Sequence, residues 1–233
     1  MQELKDTFIL NFIDDNRWRY IADGLKVTLI VTVFAVLIGV VLGFLIAIVR
    51  TTHDKTGKLK ILNAICKVYL TVIRGTPMMV QLLIMWFVVW ASARSTDSNM
   101  MKCAILAFGI NSGAYVAEIF RSGIMSIDKG QMEAGRSVGL TYATTMRYII
   151  IPQAFKNVLP ALGNELITLV KETSVVTVIG LRDLTKGAMI VQSKTYQALV
   201  PYLAIAAIYL VIVMFLTWIM EKMERRLRQS DLR

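Results

Sequence analysis

IDKGQMEAGRSVGLTYATTMRYIIIP, residues 127–152, is a polar run held between apolar ones. It is too long for a tight connection, and its turn signals are too regular for a disordered one. Gln131 to Val138 can form about two helical turns. Gly139 follows where a helix should stop, because glycine accepts the left-handed conformation. Thr141 is placed to cap a second short helix with its hydroxyl. Pro152, with a fixed φ and no N–H, marks where the next membrane segment begins. The run predicts a helix–turn–helix elbow presented to water, a shape suited to docking. Gly135 falls inside its first helix, where glycine costs about 1 kcal/mol relative to alanine. Gly135→Ala is therefore expected to be tolerated and to stiffen the elbow.

The rest of the chain belongs to a membrane. Hydrophobic residues make up 56% of it and the mean hydropathy is +0.59. Soluble domains hold roughly 45–50% apolar residues, glycine included. The formal net charge of +10 does not point to nucleic acid, because basic residues in such a chain hold cytoplasmic loops inside. Cys66 and Cys103 lie in or beside apolar segments, without metal-ligand spacing or a disulfide framework. His53 is the one histidine and cannot make a site by itself. Glu3, Asp6, Asp14 and Asp15 give the N-terminus the wrong charge for a signal peptide.

These features predict an all-α integral membrane protein with five transmembrane helices. Residues 1–26 form an outer segment, 27–220 the transport domain and 221–233 a basic tail. Val27–Val49 carries neither charge nor proline over 23 residues, enough for one span. Its Gly39 and Gly43 have the spacing that lets another helix approach closely, or mark only the tolerance of membrane helices for glycine. Arg50–Lys60 reads as a short basic loop. The second span, Ile61–Ala93, is interrupted at Arg74-Gly75-Thr76-Pro77 by a kink or a restart. Met101–Phe120 is the third, with Gly109 and Gly113 again four apart. At its end Glu118 and Arg121 share a helical face and can pair, as an anchor for the span or, less favoured, in direct contact with substrate.

The fourth span follows Pro152, made irregular by Pro160 and Gly163 and polar by Asn164, Glu165 and Thr168. Glu165 is the acidic residue placed at membrane depth, which is costly unless it is paired or faces water. It is a candidate for the substrate path, together with Asn164 and Thr168, or a hydrogen-bond partner to a neighbouring helix. Leu181–Lys194 reads as a polar connection, and Thr195–Met220, 26 residues without a charge, as the fifth span. An N-out, C-in arrangement puts 16 of the 26 basic residues on the side of the elbow, and the positive-inside rule makes that side cytoplasmic.

Five runs carry a resemblance. Glu133-Ala134-Gly135, then Gly139, then Ile149, Ile151 and Pro152 resemble the EAA signature of permease subunits of ATP-binding-cassette importers, with Gly135 for an alanine and Ile151 for a leucine. Gly24-Leu25 with Thr28-Leu29, RGTPMMVQL from Arg74, NSGAYVAEIFRSGI from Asn111, and Lys171-Glu172-Thr173-Ser174 are similar to runs of the polar amino-acid permeases, in the same order. The resemblance implies that the elbow is the coupling helix, with Gly130, Glu133, Ala134, Gly135, Gly139 and Pro152 serving the ATPase. It implies two cytoplasmic ATPase subunits that hold ATP and magnesium, a second permease subunit, an extracytoplasmic amino-acid-binding protein, and a place in the bacterial inner membrane. The chain carries no G-x-x-x-x-G-K-[ST] phosphate loop, so this reading makes it a transport subunit without cofactor. An ion-driven carrier, which also uses broken helices and buried carboxylates, has no need of the elbow. The residues do not name the amino acid.

Overall fold

The computed structural model describes residues 2–229, and among them every regular element is helical. Helix α1 (Gln2–Phe8) leads through a π turn to α2 (Trp18–Thr56), which is 39 residues long. At 1.5 Å per residue α2 measures about 58 Å, well beyond a hydrocarbon core of about 30 Å. The expected loop at Arg50–Lys60 is thus mostly helix. Most of its residues are weak helix formers, so the helix continues here against local propensity, and it stops only at Gly57, whose φ is +66°. Helix α3 (Lys60–Gly75) follows after a three-residue turn.

The Arg74–Pro77 run is a restart. Pro77 caps α4 (Met78–Ile84), which continues as a π turn to Val89, and the two halves of the span meet at 109°. Gln81 stitches the break: its Nε2 donates to the carbonyl of Ile73 at 2.7 Å and to Thr76 Oγ1 at 2.7 Å. Asn111 Nδ2 donates to Gln81 Oε1 at 3.0 Å and ties the break to α5 (Asp97–Met125). Carbonyls freed by a proline in a span must find such partners, because lipid offers none.

Helices α2 and α5 form the centre, and their glycines explain how closely they pack. A Cβ on Gly39 would stand 2.7 Å from Ser112 Oγ, and one on Gly43 2.6 Å from Val116 Cγ1. From the other side, a Cβ on Gly109 would meet Ile38 at 2.7 Å and one on Gly113 would meet Leu42 at 2.8 Å. The glycine spacing is therefore a packing device on both helices. Around this seam Val31, Ala35, Leu82, Trp86, Ala104 and Phe108 make the main core.

The elbow consists of α6 (Lys129–Ser137) and α7 (Tyr142–Thr145). A π turn over Met146–Ile150 then leads into α8 (Ile151–Glu172). Pro152 falls in the first turn of α8, as expected, but no break separates that segment from the elbow. Thr145, Met146, Ile150 and Ile151 all hold right-handed helical angles, so the helical path runs unbroken from Tyr142 to Glu172. The π turn lies where a proline two residues on cannot donate its hydrogen bond.

Leu181–Lys194 is not a loop. Asp183 accepts from the backbone N–H of Thr185 at 3.0 Å and of Lys186 at 2.9 Å, and so caps α9 (Leu184–Thr195). Leu184, Ala188 and Val191 of α9 pack with Ile21 and Ile205 in a second core. Gly24 and Gly187 let the backbones of α2 and α9 touch. The N-terminal segment is clasped to the same end, through Asn11 to Gln197 at 2.6 Å and Thr195 at 3.1 Å.

Helix α10 (Leu199–Gln229) closes the bundle with Leu210, Val211, Phe215 and Trp218 exposed, as are Phe34, Leu37, Val41 and Leu45 of α2. Lys222 lies 5.1 Å from the Trp218 ring, an interfacial arrangement of cation and aromatic. Among the described residues three helices are long and apolar enough to cross a membrane, or four if the bent pair α3–α4 is one span. The 22 residues of α8 have the length but carry Lys156, Asn157, Asn164 and Glu165.

Candidate functional site

The elbow is built as its residues require. Asp128 accepts the N–H of Gly130 at 2.6 Å and caps α6. Gly139 turns the chain with a φ of +87°. Thr141 accepts the N–H of Thr144 at 3.2 Å and caps α7. Glu133, Ala134, Gly139 and Pro152 are exposed, whereas Gly135 is buried. A cavity of about 430 Å³ lies behind α6, lined by Asp54 and Arg121 on one side and Met132 and Glu133 on the other. Tyr142 lines the apolar space next to it, and burial raises its phenol above the ordinary tyrosine range, leaving it neutral.

Gly135 overturns the expectation attached to it. A Cβ there would stand 2.5 Å from Thr145 Cγ2 and 2.9 Å from its Oγ1. Thr145 is wholly buried, and its hydroxyl donates to the carbonyl of Thr141 at 3.0 Å. Gly135 thus lets α6 approach α7 closely, and alanine cannot enter without displacing a fixed side chain. Gly135-Arg136-Ser137-Val138-Gly139 also spells the G-x-S-x-G of hydrolases. Ser137, however, sits in a helix with its hydroxyl on the Ala134 carbonyl at 2.8 Å, and His53 is engaged with the Lys58 carbonyl at 2.8 Å.

The second part of the site is a groove of about 520 Å³ between the end of α3, α5 and α8. Arg74, Tyr115, Glu118, Ser122, Asn157 and Glu165 line it. Glu165 accepts a hydrogen bond from Ser112 at 2.8 Å and faces the groove as well, so it both pairs with a neighbouring helix and lines a space. Glu118 pairs with Arg121, whose Nε donates at 3.0 Å, and with Arg50 of α2 at 3.6 Å. The guanidinium of Arg74 lies 5.6 Å from the Tyr115 ring. Asn164 and Thr168 are exposed on α8 and do not line this groove. Thr173 is buried and donates to the Val170 carbonyl at 2.7 Å, while Lys171 and Glu172 are exposed beside it.

Residues 39–229 match the sequence pattern of the family described as binding-protein-dependent transport system inner membrane component. This chain belongs to that family. It is an inner-membrane transport subunit, and hydrolysis of ATP lies with a separate protein. The arginine transport system permease protein ArtQ of Bacillus subtilis is 39% identical over 212 residues, covering 91% of this chain and 94% of ArtQ. The glutamine transport system permease protein GlnP of Escherichia coli K12 is 36% identical, covering 88% of this chain and 92% of its own. A crystal structure of an amino acid ABC transporter with histidines superposes with a TM-score of 0.84 at 43% identity, over 92% of this chain and 98% of that one. The inward-facing MetNI methionine transporter shares the fold, with a TM-score of 0.74 at 19% identity over 92% of this chain and 98% of its own.

Within this permease, sequence reading missed Gln81, Asn111 and Ser112. All three stand in the runs that carried the resemblance, but a lone amide or hydroxyl in an apolar stretch gives no sign of its partner. Arg74 was read only as part of a break, and the fold turns it into the groove.

Proposed function

We propose that this permease moves polar amino acids inward through a dimer of permease subunits, driven by two cytoplasmic ATPases that hold ATP and magnesium. An extracytoplasmic binding protein supplies the substrate. The five crossings are α2, the bent α3–α4 pair, α5, α8 and α10, arranged N-out and C-in. The C-terminal end of α2 and the elbow share one end of the bundle, where Thr51 and Asp54 meet Lys129 and Glu133 around one cavity. That supports a cytoplasmic elbow together with the basic-residue count. Gly130, Glu133, Ala134, Gly135, Gly139 and Pro152 form the ATPase-coupling surface and its frame.

The substrate path runs past Glu165, with Asn164 and Thr168 toward the second subunit. The observation that carries this reading is the groove in which Arg74 and Glu165 both open: a guanidinium suits an α-carboxylate, and a carboxylate suits an ammonium or guanidinium. ArtQ, GlnP and the transporter crystallised with histidines support amino acids as the class. Uptake by vesicles holding the permease, its ATPase and its binding protein tests this. Accumulation that requires internal ATP and survives collapse of ion gradients is expected; accumulation that follows an ion gradient without ATP refutes it.

A further inference from the structure

We propose that Thr145 is a positioning residue for coupling: with Gly135 it forms a clasp that locks the first elbow helix to the helix carrying Glu165. The inference rests on the importer reading above. Three observations support it.

Helix α6 packs on α7 and on the π turn behind it. The approach is close at Gly135, where a Cβ would stand 2.5 Å from Thr145 Cγ2. Leu140 also donates its N–H back to the Gly135 carbonyl at 3.1 Å, so the turn closes on the same residue. Thr145 has no freedom to yield, because it is wholly buried and its hydroxyl is held by Thr141 at 3.0 Å. A helical threonine has only two favoured χ1 rotamers, and the bond to the Thr141 carbonyl holds Thr145 in its own.

On its other flank α6 is set off from α2 and α5 by the cavity of about 430 Å³. Its chain connection to α5 is short and non-helical, residues 126–128. The first elbow helix is therefore rigid toward α7 and loose toward the end of α5.

Beyond Thr145 the helical path continues to Glu172 through the π turn and past Pro160, where one backbone hydrogen bond is missing but the helix does not end. Thr145 and Glu165 are separated by about 30 Å of helix, at 1.5 Å per residue. Gly123 lets α8 cross α5 closely against Val158, midway along that path. A push on α6 at the ATPase thus passes through the clasp and is delivered at Glu165 and its Ser112 partner. A gap or a wedge at the clasp leaves both ends intact and disconnects them.

The test uses purified complexes of permease, ATPase and binding protein in proteoliposomes, at matched amounts of assembled complex. The readout is amino acid transported per ATP hydrolysed, with the stimulation of ATPase activity by loaded binding protein. Gly135→Ala should lower both by about fivefold or more, within the range that mutations along a coupled network reach. Thr145→Ser removes the Cγ2 methyl at 2.5 Å and loosens χ1, so that the hydroxyl at 2.9 Å can shift by the small distance still needed; the double variant Gly135→Ala/Thr145→Ser should recover most of the loss. A transport-to-ATP ratio unchanged by Gly135→Ala overturns the proposal. So does a double variant no better than Gly135→Ala alone, or a loss confined to the amount of complex assembled. Wild-type vesicles that show no ATP-driven uptake refute the importer reading itself, before any variant is compared.

Discussion

At Glu165, charge and shape can be separated. Glu165→Gln keeps an acceptor for Ser112 and nearly the same volume, but removes the charge facing the groove. A charge-assisted hydrogen bond is roughly twice as strong as a neutral one. We expect uptake of a cationic amino acid to fall about tenfold or more, and uptake of a neutral one to fall less, at equal expression. Equal rates for every transported substrate in variant and wild type would leave Glu165 with packing alone. Gly139 gives the complementary case. Its φ is +87° and the space beside it is open, so a larger side chain there meets no clash and only the backbone resists. Gly139→Val should cost the turn about 1–2 kcal/mol or more, with the membrane spans still folded. Normal ATP-driven uptake at normal membrane abundance would remove this turn from coupling.

At the scale of elements, the seam between α2 and α5 sets stability. Gly43→Val pushes into Val116 and the backbone of Ala117, which stands 2.7 Å from the Cβ position. The change should cost about 1–3 kcal/mol, seen as a lower melting temperature of the detergent-purified permease. A melting temperature within error of wild type would show that the helices can part at no cost. The sequence made this seam visible as two glycine pairs, and it made the elbow visible through Gly139 and Thr141. Both are local signals, a residue type at a fixed offset from a helix end or face. Helix α9 was missed although Leu184, Ala188 and Val191 follow a helical period, because the lysines and hydroxyls between them resemble a loop. The length of α2 was missed because counting apolar residues finds the buried part of a helix and stops at the first charge. Gly135 was misjudged for a different reason: propensity is a property of one helix, and the contact with Thr145 belongs to two.

For the whole molecule, the apolar belt on α2 and α10 and the basic elbow end predict one orientation in the membrane. Ser95→Cys, in the turn before α5, should react with a membrane-impermeant maleimide in intact cells. Ser137→Cys, in the elbow, should react only after the membrane is opened. The reverse pattern would invert the assignment. Cys66 and Cys103 are buried and should contribute little background. The unbroken helical path from Tyr142 to Glu172 also has an evolutionary consequence. Each residue of such a path turns the next by about 100°, so its length sets an angle as well as a distance. One residue gained or lost between the elbow and Glu165 would swing the carboxylate to a different side of the bundle, while seven would bring it back to within about 20°. Members of this family should therefore tolerate single-residue indels in the turns around α9 and purge them between residues 146 and 164.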